Sequence, residues 1–371
     1  MSVAGPLLEV QDLRVTLDTP RGPADALRGL SFSLARGGTL GLIGESGCGK
    51  SLTALALMGL LPDGARVSGS IRLDGRELLG LTEDQWCGLR GDRLAMVFQE
   101  PMTALNPLHT IGRQVAESLR LHRGQSAAAA RAEALRLLDR VQLPQAAQRL
   151  DAYPHQLSGG QRQRVVIAIA LACGPDLLIA DEPTTALDVT IQREVLDLIG
   201  QLVAEDGMAL MLISHDLGVM ARSVQRLLVM YGGTVVETGP TDGVFARLAH
   251  PYTRGLFAAR PRLGLRALHA ASAAADPAGA GAARRRLRLH TIAGRVPDLV
   301  DLPAGCPFAD RCPLVLDQCR AALPALVALE PAGRAGAPSH ADAVAPGDDH
   351  HAARCLRPGE LALPGLGQQA V

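Results

Sequence analysis

Aromatic residues are scarce in this sequence: five Phe, three Tyr and one Trp among 371 residues. Ala, Leu, Gly and Arg abound instead, a balance that looks like high-GC coding bias and carries no functional message. Net charge is lacking too. Lys+Arg and Asp+Glu are both 37, so there is no overall bias toward polyanions and nucleic acid loses weight as a partner. Long apolar runs are missing: the longest, Val165 to Cys173, falls far short of the roughly 20 residues that cross a bilayer. Met1-Ser-Val-Ala-Gly-Pro-Leu-Leu8 shows no positive region ahead of an apolar stretch, so no signal peptide is visible and a cytoplasmic chain is expected. Seven cysteines there argue against a disulfide framework. Four of them, Cys306, Cys312, Cys319 and Cys355, cluster late and need another explanation. The length admits two domains.

What is present is organised around Gly44-Glu45-Ser46-Gly47-Cys48-Gly49-Lys50-Ser51, followed by Leu52, which fits the P-loop pattern G-x-x-x-x-G-K-[ST]. Thr39–Gly44 reads as a buried strand entering the loop and Lys50–Leu61 as the helix leaving it. Glycines there let successive N–H groups, at the positive end of a helix, face a phosphate chain. Lys50 is expected on the β- and γ-phosphates, and Ser51 on Mg²⁺. The bland reading, a glycine-rich turn that binds nothing, ignores how well the context fits.

Residues 7–36 alternate apolar and polar, the pattern of antiparallel strands wet on one face. Gly69–Gly75 and Leu94–Phe98 read as further strands. Residues 110–143 read as helices, with Ser126 capping Ala127–Arg140. From Leu177 the text alternates strand, helix (Ile191–Ala204), strand (Ala209–Ile213) and helix (Leu217–Val224), which implies a mostly parallel sheet. Arg226–Tyr231 and Thr234–Glu237 meet at a Gly232-Gly233 hairpin.

Leu177-Leu-Ile-Ala180 delivers two carboxylates at its carboxyl end, where ligands of open α/β sheets bind. Asp181 fits the Mg²⁺-holding role and Glu182 the polarisation of attacking water. An acidic turn after a core strand is the plain alternative. Ser158-Gly159-Gly160-Gln161 opens a helix expected over Arg162–Cys173, a second helix N-terminus with bare glycine amides. It is wasted on the phosphate already cradled by the first, unless it caps a nucleotide on another subunit.

Leu157-Ser158-Gly159-Gly160-Gln161 followed by Gln163-Arg164 resembles the signature of ATP-binding cassette ATPases. In that family two cassettes dimerise head to tail, each signature closing on ATP at the other's P-loop. The resemblance implies further roles. Gln99 corresponds to the Q-loop residue that senses Mg²⁺ and water, Ala186-Leu187-Asp188 to the D-loop across the seam, and His215 to the switch histidine on the γ-phosphate. One departure matters: the position that usually stacks an aromatic on adenine is Leu17 here. Stacking contributes about 0.5–1.5 kcal/mol beyond burial, so looser base selectivity is expected.

Phe98-Gln-Glu-Pro-Met-Thr-Ala-Leu-Asn-Pro107, Ala186–Gln192, His250-Pro-Tyr-Thr253 and Gly305-Cys-Pro-Phe-Ala-Asp-Arg-Cys312 are similar to the dipeptide/oligopeptide (peptide/nickel) importer ATPases. This resemblance implies an α/β fold: a P-loop NTPase cassette with a mixed sheet core, an antiparallel β-subdomain, a helical subdomain and a small cysteine-containing C-terminal extension. The expected units are 1–260 for the ATPase, 261–289 as linker and 290–371 for the extension. Cys312 is expected at the cap of a short helix begun by Pro313, with Cys319 two turns on. The four late cysteines fit neither the C-x₂-C zinc pattern nor the ferredoxin run. The resemblance points to a [4Fe-4S] cluster, with zinc or buried thiols the alternatives; Cys48, Cys87 and Cys173 are bystanders. His351 is either near that centre or solvated.

The implied function is ATP hydrolysis powering import of di- or oligopeptides, at the cytoplasmic face of the inner membrane. Implied partners are a second, non-identical cassette, two transmembrane permease subunits and an extracytoplasmic substrate-binding protein. Nickel or glycoside transport is the alternative within that class, and a soluble cassette acting on nucleic acid the rival outside it.

Overall fold

The computed structural model describes residues 5–185, 187–259, 291–329 and 350–360, which contain two sheets. β1 (Leu8–Thr19) and β2 (Gly22–Leu34) form a long hairpin, and β3 (Thr39–Ile43) then enters the second sheet. β4 (Arg66–Leu73) pairs with the free edge of β1, and β5 (Arg76–Glu77) completes an antiparallel sheet ordered β2-β1-β4-β5. Along β1, Leu8, Val10, Leu13 and Val15 are buried between polar neighbours. The period slips once, where Asp12 at φ 43° makes a bulge that returns Leu13 to the inner face.

The second sheet adds β6 (Leu94–Val97), β7 (Leu177–Asp181), β8 (Ala209–Ile213), β9 (Arg226–Tyr231) and β10 (Thr234–Pro240), with β11 (Val327–Ala328) and β12 (Ala352–Ala353) at one edge. Its order is β11-β12-β10-β9-β3-β8-β7-β6. The run β9-β3-β8-β7-β6 is parallel, and β6, β7 and β8 are buried throughout, as a sheet covered on both faces requires. The P-loop strand therefore lies mid-sheet, and its carboxyl end is the natural place for a ligand.

Among the described residues the α-helices up to residue 258 are α1 (Lys50–Leu57), α2 (Glu83–Cys87), α3 (Pro101–Ala104), α4 (Ile111–Arg123), α5 (Ala127–Arg140), α6 (Ala146–Arg149), α7 (Gly159–Leu171), α8 (Val189–Asp206), α9 (Leu217–Ser223), α10 (Thr241–Arg247) and α11 (Pro251–Ala258). Ser126 caps α5 by accepting from the Ala129 amide, as its position foretells. α1 is shorter than expected. It stops at Leu57, because Gly59 takes φ 62° against the Trp86 ring. Buried apolar residues form two clusters. Leu27, Leu42, Leu57 and Met211 belong to the one between the sheets, and Ile43, Leu178, Ile199 and Val229 to the one under the helices.

The described residues beyond 290 join this architecture directly. Short as they are, β12 and β11 continue the main sheet past β10. The Arg354 amide donates to Val236 O at 2.8 Å, and its guanidinium donates to Val235 O and Pro324 O at 3.0 and 2.8 Å. Glu237, wholly buried, accepts from the Ala249 and His250 amides at 2.8 Å each and lies 2.7 Å from His351 Nε2. His351 is thus neither solvated nor turned to the cysteines: it partners a buried carboxylate. Burial also lowers the His250 pKa to about 4, so its neutral Nδ1 accepts from the Tyr252 amide and caps α11.

One expectation fails locally. No helix starts at Pro313; Ala309–Arg311 form a 3-10 turn, and the helix α12 (Asp317–Ala321) begins later, so Cys312 and Cys319 do not share a helix face. The Cys306 amide instead bonds Cys319 O at 2.7 Å, closing a tight loop. The expected linker at 261–289 and Ala186 of the D-loop lie outside the described residues.

Candidate functional site

The P-loop runs from β3 into α1 and its shape demands glycine at both ends. At Gly44 an added Cβ would sit 2.3 Å from Met230 O, and at Gly49, with φ 102°, 2.6 Å from the Leu27 side chain. Lys50 is buried, with Nζ 2.8 Å from Gly44 O and 3.0 Å from Glu45 O. Its ammonium therefore sits inside the loop, bonded to loop carbonyls. Cys48 is buried beside it, its thiol 3.7 Å from Lys50 Nζ and pushed up chiefly by burial, so it is packing rather than chemistry.

Facing the loop, β7 delivers Asp181 and Glu182 as predicted. Asp181 is 4% exposed and its Oδ1 has no hydrogen-bond partner. Burial raises its pKa, the Glu182 charge adds to the rise, and a hydrogen bond from Ser51 opposes it. A buried carboxylate oxygen without a partner, beside a serine hydroxyl, calls for a cation; the pair fits Mg²⁺.

Glu182 takes φ 45°, a strained left-handed conformation for a side-chain-bearing residue, fixed by its amide donating to Ile213 O at 2.9 Å. That twist gathers three partners around one carboxylate. Glu182 Oε2 accepts from Thr185 Oγ1 at 3.0 Å, lies 3.5 Å from Gln99 Nε2 and 3.4 Å from His215 Nδ1. His215 is mostly exposed, free to meet a ligand. Thr185 carries no signal of its own in the sequence; only the strained turn after β7 brings it to the site.

A cavity of about 280 Å³ joins Ser46, Gly47, Gly49, Lys50, Ser51, Leu52, Gln99 and Glu182. Leu17 lines it too. So does Leu299, which the sequence did not suggest.

The signature residues line none of it. Ser158 caps α7 in a reciprocal box: Gln161 N donates to Ser158 Oγ at 3.3 Å and Ser158 N to Gln161 Oε1 at 3.1 Å. Gly159 and Gly160 form its first turn. Asp188 caps α8, accepting from the Thr190 and Ile191 amides at 3.1 and 3.0 Å. Both helix starts are exposed, away from their own chain's P-loop cavity.

The late cysteines converge. Cys306, Cys312, Cys319 and Cys355 line one cavity of about 20 Å³, room for a single water. Burial pushes Cys306 up to about 11 and Cys355 up to about 12. Among the described residues no group of three or more His, Cys, Asp or Glu side chains is arranged to hold a metal ion. The four thiols bordering this cavity are the donor type that an iron–sulfur cluster uses.

Sheet, P-loop, paired carboxylates and a signature helix turned outward define an ATP-hydrolysing cassette of the type that works in pairs. Comparison with known proteins agrees. The family described as "ABC transporter" matches residues 27–185, and that described as "Oligopeptide/dipeptide transporter, C-terminal region" matches 236–282 and 278–319. The oligopeptide transport ATP-binding protein OppD of Salmonella typhimurium is 48% identical over 321 residues, 86% of this chain and 90% of that one. A putative peptide import ATP-binding protein of Brucella abortus is 43% identical over 364 residues, 96% of this chain and 98% of that one. A solved ATP-binding cassette, dimeric in a post-hydrolysis state with ADP and Pi, superposes with a TM-score of 0.57 at 29% identity, covering 63% of this chain and 98% of that one. The chain belongs to the ATP-binding subunits of the oligopeptide/dipeptide ABC transporter family, and it is an ATPase whose cofactors are ATP and Mg²⁺.

Proposed function

We propose that this ATPase drives import of di- and oligopeptides by closing head to tail with a second, non-identical cassette beneath two permease subunits, fed by a substrate-binding protein. The observation that carries the reading is the split site: a P-loop cavity with its acid, glutamine and histidine assembled, and a capped signature helix facing elsewhere. In it, Gly44 through Leu52 hold the phosphates, with Lys50 on the β- and γ-oxygens. Ser51, Asp181 and Gln99 hold Mg²⁺. Glu182 orients and deprotonates the attacking water, Thr185 keeps Glu182 in place, and His215 contacts the γ-phosphate. Ser158, Gly159, Gly160 and Gln161 serve the partner's ATP, with Asp188 at the seam. The assembly is peripheral on the cytoplasmic face of the membrane, and among the described residues no helix is long and apolar enough to cross it. Residues 1–260 form the ATPase unit and 290–371 the extension, with 261–289 as linker.

Co-reconstitution with permeases and binding protein in liposomes tests this. Peptide in the lumen is expected to raise ATP turnover several-fold, whereas stimulation by nickel or a glycoside alone would reassign the substrate.

Cys306, Cys312, Cys319 and Cys355 are the proposed ligands of a [4Fe-4S] cluster. Bound there, it would supply a covalent cross-link among the segments that carry the four cysteines. Iron and acid-labile sulfide near four atoms each per chain are expected after anaerobic purification; their absence removes the cluster.

A further inference from the structure

The C-terminal segment meets the nucleotide cavity at Leu299 and, a short way further along the chain, the P-loop residue Glu45 at Arg311. Residues 298–303 lie on the β1–β2 hairpin, held by Arg21, whose Nη1 and Nη2 reach Asp301 Oδ2 and Oδ1 at 2.8 and 2.6 Å. Arg28 Nη2 adds a bond to Pro303 O at 2.9 Å. This seating places Leu299 in the cavity with Leu17 and the P-loop. The missing aromatic at position 17 is therefore met by a second aliphatic wall from the other end of the chain.

The second point is Arg311. Its side chain is only 6% exposed, and it grips the P-loop residue Glu45 with two bonds, Nη1 to Oε2 at 2.6 Å and Nη2 to Oε1 at 3.2 Å. Arg311 Nη1 also donates to Tyr231 Oη at 3.1 Å, Nε donates to Ala293 O at 2.8 Å, and the guanidinium lies over the Tyr231 and Phe308 rings. The same carboxylate's backbone is tied down: Glu45 N donates to Tyr252 Oη at 2.6 Å. Glu45 is an anion set in a loop built to receive anions. Without a counter-charge it would repel the triphosphate, and Arg311 supplies that charge in a planar, bidentate form that lysine cannot copy.

We infer that the C-terminal extension is a working wall of the nucleotide site, in which Leu299 covers the base beside Leu17 and Arg311 positions the P-loop and neutralises Glu45. This rests on the P-loop cavity being the ATP site. Leu299 is thus a specificity-determining residue, and Arg311 is a positioning residue that acts through Glu45.

Equilibrium titration of the full chain with MgATP and with inorganic tripolyphosphate tests both arms. Leu299→Ala is expected to raise the Kd for ATP about tenfold and leave that for tripolyphosphate within twofold, since only the base loses a contact. Arg311→Ala is expected to raise both by about thirtyfold, and adding Glu45→Gln should recover most of the loss. Recovery is the decisive readout. A tail that had merely unfolded would not be repaired by changing a P-loop side chain. Wild-type affinity in Leu299→Ala, or no recovery in the double variant, overturns the inference; a wild-type chain that binds no ATP overturns the site reading itself.

Discussion

Glu182→Gln is expected to bind MgATP with nearly unchanged affinity and to lose hydrolysis by about 10²–10³-fold, the usual worth of a positioned general base. The geometry separates the two effects. A glutamine oxygen can still accept from Thr185 Oγ1, now at 3.0 Å from Glu182 Oε2, so the strained turn keeps its anchor. The Glu182 charge helps raise the Asp181 pKa, so removing it favours the ionised Asp181 that Mg²⁺ requires. Cation binding therefore does not suffer; what disappears is the group that takes a proton from water. With hydrolysis blocked and binding intact, the ATP-bound pair should accumulate as a larger species in gel filtration or light scattering. Undiminished phosphate release in Glu182→Gln would remove this residue from the base role and leave His215, 3.4 Å away, to be tested next.

The fold and the near half of the site could be read from short-range pattern because short-range physics makes them. Alternation in Leu8–Val15, the apolar block before Asp181 and the P-loop glycines are each dictated by burial or backbone shape within a few residues. Contacts spanning hundreds of residues left no such mark. Nothing near Leu299 announces a nucleotide wall, since an aliphatic residue in a proline-bearing segment looks the same on any surface. Arg311 sat in plain view between Phe308 and Cys312, yet its meaning depends on Glu45, which only the folded chain brings within 2.6 Å. The misplaced helix at Pro313 has a local cause. Proline there enters a turn rather than a helix because the Cys306 amide is already committed to Cys319 O, which fixes the loop's path. Likewise His351 is read by no local rule; its partner is a carboxylate buried 114 positions earlier in the chain.

The outward-facing signature leads to the sharpest separation of binding from catalysis. Ser158→Arg should leave the isolated chain's Kd for MgATP within twofold, because Ser158 does not line its own cavity of about 280 Å³. The same change should abolish ATP-driven pairing and cut turnover in the full transporter by at least about tenfold. A bulky cation replaces the hydroxyl at the start of α7 and removes a cap worth about 1 kcal/mol, at the surface where a second nucleotide must be met. Loss of the cap alone cannot explain such a result, and a second substitution separates the causes. Ser158→Asp keeps a good capping side chain but sets a negative charge before the triphosphate, so it should also fail in pairing while its helix melts no earlier than in the wild type. If either variant pairs normally on adding ATP, the phosphate does not meet this helix and the two-chain site is wrong. If both fail while the monomer still binds nucleotide, the P-loop of one chain and the signature of another form a single site.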